Sequence, residues 1–466
     1  MSATLEMKGA KAVAPRPAAN RLTTVVDLFA GCGGLSLGLE NAGFTPVFVN
    51  ELNQDALSTY LSNRFHSLGG LKFSENEMLH CRDVGELNTR QLERLSNDLA
   101  QIPEINFRRE LRASARAGGG SNLDLVAGGP PCQGYSGIGH RRSYSVDKID
   151  LPSNLLYAHM ARVIRTLRPR AFLFENVRGL LTSRWSATGD RIWPDVLAEF
   201  RAIEGYTVRW SLVHAKDYGV PQNRPRVLMV GLRDDWWPRA DVSPGADPED
   251  AVQCGFLPPA RKGEFPDLAE LLDDLIDPAV DDILRSGNYP DDFQTHTYQR
   301  SARTEIQRKL RSLPAHLPNS QARKLTEQEY SRHAPAVVKK FSYMLDHGGR
   351  IPPRYQTKKF AQRVLPAEWD VAGPTITATS LPDDYVHYAQ PRILTVREWA
   401  RLQMFPDWYQ FSGKRTTGGL RRAGNPREGI FEREVPKYTQ IGNAVPVELA
   451  RRVGQHLRGL IRGVFG

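Results

Sequence analysis

The chain has 466 residues, 40% apolar and 24% charged, the balance of a globular protein rather than a disordered one. No apolar run approaches the ~20 residues of a membrane span, and residues 1–20 lack the apolar stretch of a secretory signal, so a flexible tail is expected there. A net charge of +10 and a pI near 9.4 favour an anionic partner, nucleic acid above all, while four scattered cysteines without a CxxC pair argue against zinc and disulfides.

From about residue 23 to 232, apolar runs of strand length alternate with helical patterns. This predicts an α/β fold, a doubly wound and mostly parallel sheet whose sites lie at the carboxyl ends of the strands. Residues 25–29 form a strand that ends in AGCGG, and the next segment is helical until Gly43. A second strand, 46–49, ends at Asn50-Glu51, and a third, 123–129, runs into Pro130-Pro131. Residues 155–167 read as a helix stopped near Pro169, and 171–177 and 226–232 as two more strands. Beyond 234 the alternation breaks down into a proline-rich stretch, acidic over 267–292 and basic over 300–363. A helix at 396–403, a polar loop at 412–427 and a turn plus amphipathic helix at 440–461 complete the chain. The expected organisation is a domain over 21–233, completed by 436–466, with an irregular second domain over 234–435.

Two sets of residues carry chemistry. A strand, glycine turn and helix bring backbone N–H groups and a helix N-terminus to whatever binds there. The spacing Gly31-x-Gly33-Gly34 is not that of a dinucleotide site. Glu51 closes the second strand, where its carboxylate suits two ribose hydroxyls, and Asp83 suits an adenine amino group or a helix N-cap. An adenosyl ligand without a pyrophosphate fits this set. The second set begins with GGPPCQGYS, residues 128–136, a stiff bend that presents Cys132 just past a strand. Glu175 arrives on the next clear strand beside Phe172, Phe174 and Val177, apolar neighbours that favour a protonated carboxyl. Arg224 and Arg226, one residue apart, point the same way in an extended segment. A thiolate, a carboxylic acid and two guanidiniums suit attack on an electron-poor ring. A thiolate adding to carbon 6 of cytosine, with the acid at N3, makes carbon 5 a nucleophile for a sulfonium methyl. Such a base must first leave the duplex stack.

These blocks resemble those of the cytosine-5 DNA methyltransferases, chiefly the bacterial modification enzymes, over nearly the whole chain except the tail and the variable middle. The resemblance implies a Rossmann-like fold dependent on S-adenosylmethionine, with a target-recognition domain at 234–435. DLFAGCGGLSLGLE is similar to the family's cofactor block, which assigns Phe29, Ala30, Gly31, Gly33, Gly34 and Leu35 to that ligand. NEL adds Glu51 and Leu52, the latter where some members carry an aromatic. Asp83, Val84, Pro131 and Leu156 line the same pocket, and Asn443 and Ala444 of QIGNAVP help hold it. The catalytic block, nearly letter for letter, makes Cys132 the nucleophile and Glu175 the partner of N3, with Arg224 and Arg226 as site cations. Gln133, Ser136, Asn176, Val177, Gln222 and Thr375 are implied at the substrate. The reaction implied is methyl transfer to a flipped-out cytosine in a specific duplex DNA sequence, by the modification enzyme of a restriction-modification system. A monomer in the bacterial cytoplasm, at the nucleoid, is expected, without metal or membrane. Two other readings stay open: transfer to tRNA, and an inactive DNA-binding relative.

Overall fold

The computed structural model describes residues 22–105, 109–110, 120–131, 155–185, 188–235, 247–318, 324–356, 362–369, 374–376, 384–417 and 434–463. Its centre is a seven-stranded sheet made of β1 (Thr23–Leu28), β2 (Phe44–Asn50), β3 (His80–Cys81), β4 (Leu125–Gly128), β5 (Ala171–Val177), β6 (Tyr206–His214) and β7 (Pro225–Arg233). The order is β6-β7-β5-β4-β1-β2-β3. Strands β1 to β5 pair in parallel, and β7 runs antiparallel to both β5 and β6. The chain leaves β1 towards β2 and β3, then returns to lay β4 on the other flank of β1. Such a reversal opens a crevice at the carboxyl ends of the strands.

Strand periodicity sends alternate side chains into two cores. Val26, Val126, Phe172 and Phe174 face α2 (Gln54–Ser62), α3 (Thr89–Ala100), α4 (Leu156–Leu167) and α5 (Ile192–Arg201). Val25, Leu125, Ala127 and Leu173 face the opposite layer, with α1 (Gly34–Asn41). The sequence pattern missed β6. It is an edge strand whose burial alternates along its length, so its apolar content is diluted by Thr207, Arg209 and Ser211.

Beyond Arg233 the described residues up to 417 are largely irregular, with short helices set among them: α6 (Leu268–Leu272), α7 (Ala279–Ser286), α8 (Glu305–Arg311), α9 (Pro335–Asp346) and α10 (Val396–Leu402). Leu268, Leu271, Leu394 and Trp399 belong to the same apolar cluster as β1 and β4. The charges of the α10 block are interior. Arg392 grips Glu398 with bonds of 2.8 and 2.7 Å, and Arg401 reaches Asp274 and Asp407 at 2.5 and 2.6 Å. Burial alone would raise the Glu398 carboxyl, but Arg392 holds it down at about 2. The segment expected as one turn and helix is two helices, α11 (Lys437–Asn443) and α12 (Val447–Arg462), separated by Pro446.

Helix α12 lies on α1 through small residues. A Cβ on Gly38 would sit 2.3 Å from the Ala450 Cβ and 2.5 Å from the Val447 carbonyl. A Cβ on Gly34 would meet the Val445 carbonyl at 2.4 Å. Gly38 therefore lets the two helix backbones approach closely, and Gly34 does the same for the residues just before α12. In this way the C-terminal segment reaches the turn that follows β1.

Candidate active site

The turn after β1 is held from the next strand. Ala30 N–H donates to the Asn50 carbonyl (3.0 Å) and Gly31 N–H to Glu51 Oε2 (2.8 Å). Asn53 N–H donates to Glu51 Oε1 (2.8 Å). The N–H groups of Ala30 and Gly31 thus bind the last residue of β2 and the Glu51 side chain just after it. Burial raises the Glu51 carboxyl, against the N–H groups of Asn53 and Gly31. Phe29 takes a left-handed φ of 55°, rare for a bulky residue and a mark of a functional turn. Gly31 and Gly33 also have positive φ, and a Cβ on Gly31 would meet nothing within 4 Å, so open space lies above it. Gly34 faces the C-terminal segment, as above, and Leu35 is buried in the core.

Leu52, in the loop after β2, is 65% exposed, and Leu156, at the start of α4, is half-buried. Asp83 Oδ1 accepts the Gly85 N–H (2.8 Å), so Asp83 caps the short turn that follows β3, while Val84 is buried. Asn443 is exposed and Ala444 half-buried.

At the neighbouring strand ends, Arg226 Nε pairs with Glu175 Oε1 at 2.5 Å, both side chains about nine-tenths buried. Phe172 and Phe174, expected to surround this carboxyl, project to the opposite face of the sheet. Adjacent residues of a strand do not share a face, so neighbours in the chain were the wrong neighbours to consult. The second carboxylate oxygen lies against the turn after β4, where a Cβ on Gly129 would be 2.7 Å from Oε2. Asn176 is buried and donates from Nδ2 to the Pro130 carbonyl (3.1 Å), tying the Pro130-Pro131 bend to β5. Pro131 is exposed and Val177 half-buried. Cys132, Gln133 and Ser136 lie outside the described residues.

Gln222 and Arg224 differ most from expectation. Gln222 is fully buried: its Oε1 accepts the Ile376 N–H (3.0 Å) and its Nε2 donates to the Leu402 carbonyl and Gln403 Oε1. Arg224 donates to the carbonyls of Ile376, Gly442 (2.8 Å) and Ala444 (3.1 Å). Burial and the like charge of Arg226 push its guanidinium well below the usual arginine range. Both side chains are engaged with the protein, and they fasten residues 374–376 and 442–444 to the sheet edge. Thr375 joins them, its hydroxyl donating to the Asn223 carbonyl (2.7 Å). Gln403, which sequence reasoning did not single out, completes the junction by donating to the Ile441 carbonyl (2.8 Å). Its only local signal was its place in the α10 block.

The arrangement is a turn after β1 that binds the Glu51 carboxylate and has open space at Gly31, together with a buried carboxylate–guanidinium pair on β5 and β7, both at the carboxyl-end edge of the parallel strands. The chain matches the C-5 cytosine-specific DNA methylase family over residues 23–83 and 113–459. It belongs to that family. The type II methyltransferase M.DdeI of Desulfomicrobium norvegicum is 28% identical over 443 residues, covering 93% of this chain and 88% of that protein. M.AgeI of Thalassovita gelatinovora is 27% identical, covering 93% and 98%. A solved structure described as a DNA modification methyltransferase encoded within an E. coli prophage shares the fold, with a TM-score of 0.60 at 22% identity, over 94% of this chain and 99% of its own. The C-5 cytosine methylase is therefore an enzyme that methylates cytosine in DNA. Its doubly wound, mostly parallel Rossmann-like sheet is as expected. Among the described residues no helix is long and apolar enough to cross a membrane, and no cluster of His, Cys, Asp and Glu is placed to hold a metal.

Proposed function

We propose that this methylase uses S-adenosylmethionine to methylate carbon 5 of a flipped-out cytosine within a specific duplex sequence, with Cys132 as nucleophile. The observation that carries the reading is the Glu175–Arg226 pair beside Gly129, at the start of the turn that leads to Cys132. Support for the cofactor comes from the pocket's chemistry. The space above Gly31 is bounded by the Glu51 carboxylate, and each of its oxygens keeps a lone pair beyond the N–H bond it accepts. That suits a ribose diol. Phe29, Leu52, Val84 and Leu156 are assigned as apolar surface for a purine, Asp83 Oδ2 suits its amino group, and Asn443 and Ala444 are assigned to the same ligand by the family resemblance. Bound S-adenosylmethionine supplies the electrophilic methyl group that carbon 5 accepts.

The protein's own groups do the rest. The Cys132 thiolate adds to carbon 6 of the cytosine, and Glu175, oriented by Arg226, binds N3 and stabilises the electron-rich ring. Carbon 5 forms its bond to the methyl group as the methyl–sulfur bond of the sulfonium breaks, its electron pair staying on sulfur to leave S-adenosylhomocysteine. A base then takes the carbon 5 proton, and the carbon–sulfur bond breaks to release Cys132. Arg224, Gln222 and Thr375 act as positioning residues, Asn176 sets the proline bend, and Val177, Gln133 and Ser136 border the base. The variable 234–435 segment reads the target sequence through base edges and phosphates.

The test is incubation of the full chain with duplex DNA and methyl-labelled S-adenosylmethionine, with bisulfite sequencing of DNA from expressing cells. Label on cytosine carbon 5 at one sequence motif is expected, with none from Cys132→Ala although that variant still binds DNA. Full activity in Cys132→Ala would reject the nucleophile.

A further inference from the structure

We propose that Asn50 is a positioning residue that clamps three strand ends into the shape of the adenosyl pocket. The proposal rests on the reading of that pocket as the S-adenosylmethionine site. Asn50 closes β2 and is 1% exposed. Its Oδ1 accepts the N–H of Phe29, at 3.3 Å, and its backbone carbonyl accepts the N–H of Ala30, at 3.0 Å. Its Nδ2 donates to the Cys81 carbonyl at 3.1 Å and the Arg82 carbonyl at 2.9 Å. One short amide therefore spans the ends of β1, β2 and β3.

Each bond fixes a residue of the pocket. Phe29 holds a left-handed φ of 55°, which a bulky residue rarely adopts, and the Asn50 acceptor meets its N–H in that conformation. The two donations fix residues 81 and 82, immediately before Asp83. A reciprocal stitch runs the other way: the Arg82 guanidinium donates to the Leu52 carbonyl at 3.2 and 3.0 Å, and Glu51 N–H to the Cys81 carbonyl at 3.1 Å. The amide has both donors and its acceptor engaged with backbone and is buried, so it acts on the ligand through Phe29, Glu51 and Asp83 rather than by contact. Only asparagine supplies an acceptor and two donors at this reach. Aspartate keeps the acceptor and loses both donors, and leucine loses all three.

Full-length protein carrying Asn50→Asp, Asn50→Ala or Arg82→Ala is to be titrated with S-adenosylhomocysteine by calorimetry. DNA affinity without that ligand, kcat at saturating cofactor, and Tm are measured beside it. Asn50→Asp is expected to weaken S-adenosylhomocysteine about tenfold, or about 1.4 kcal/mol, and Asn50→Ala at least as much. Arg82→Ala, which removes only the exposed half of the stitch, is expected to weaken it about threefold. DNA affinity and kcat should stay within about twofold of wild type, a split between cofactor binding and turnover that general destabilisation does not produce. Unchanged S-adenosylhomocysteine affinity in Asn50→Asp overturns the proposal, as does a parallel loss of ligand and DNA binding that follows Tm. Should Asn50→Ala fail to fold, Asn50→Asp and Arg82→Ala decide the matter. Wild-type protein that binds no S-adenosylhomocysteine would reject the reading of the pocket itself, and the clamp with it.

Discussion

Gly129 lies against Glu175 so closely that a single added methyl group would stand 2.7 Å from Oε2. Real Cβ atoms do not approach oxygen to that distance, and the far side of the carboxylate is closed by Arg226 at 2.5 Å. The carboxylate is therefore wedged between a turn and a cation. Gly129→Ala is expected to fold, to bind DNA, and to lose about 100-fold in kcat, the order of loss that follows a displacement of about 1 Å at a reacting group. Single-turnover methylation measures it. Wild-type turnover in this variant would mean that the position of Oε2 does not matter to the chemistry.

Arg224 ties residues 374–376 to residues 442–444 through three backbone carbonyls. A lysine carries the charge but lacks the planar fork, and would leave buried carbonyls without donors. Arg224→Lys is expected to raise KM for DNA and for the methyl donor together, and to lower stability by about 2 kcal/mol. Steady-state kinetics with each substrate varied in turn would show it. A rise in only one of the two would break the link drawn between the segments.

Helix α12 has no room for a side chain at Gly38. Gly38→Leu forces the helices apart and is expected to cost about 3 kcal/mol or to prevent folding. Asn41→Ala, on the exposed side of α1, should stay within about 0.5 kcal/mol of wild type. Denaturant unfolding of the two variants compares them directly, and equal stability would contradict the close packing.

Asp27 supplies a pH signature. Its carboxylate is fully buried in β1, just before the glycine turn, with neither oxygen hydrogen-bonded, while the Ser36 and Tyr60 hydroxyls bond each other at 2.7 Å. Burial pushes the carboxyl up to about 7 against the Ser36 hydroxyl and the Arg64 guanidinium, with Glu40 adding to the rise. An unfolded aspartate ionises near ~3.9. Between those values the unfolded chain has released a proton that the folded chain retains, so this group's contribution to stability falls as pH rises and is gone above about 7. Asp27→Asn is expected to stabilise the protein more at pH 8 than at pH 5, by on the order of 2 kcal/mol. Calorimetric Tm values at the two pH values check it, and an equal effect at both would show that Asp27 does not titrate in this range.

Much of the site was legible from sequence because its parts are local. A strand followed by a glycine turn, a strand ending in Asn50-Glu51, and a Gly-Gly-Pro-Pro bend each announce themselves within a few residues, and strand ends gather at one edge of a parallel sheet. Glu175 and Arg226 were placed on that edge from these patterns, and they meet there. What the local pattern could not carry was direction and depth. The face to which Phe172 and Phe174 turn was decided by strand alternation against two separate cores. The burial of Gln222 and Arg224 was decided by segments more than 150 residues away in the chain.

The sequence by itself determined the α/β class, the motif order and the residue types at the site, because these depend on short-range periodicity and turn chemistry. Only the tertiary structure decided which of those residues face open space and which hold the scaffold. Gln222 and Asn176 were grouped with the substrate and Arg224 with the catalytic cations by their motifs, and each has polar groups engaged with backbone from another segment. The motifs that hold Asn50 and Gly129 gave no sign of the clamp or of the close approach, since both exist only once β1, β3 and β5 lie beside their partners. Buried polar groups must find partners, and in a folded chain the partner is set by packing rather than by distance along the sequence.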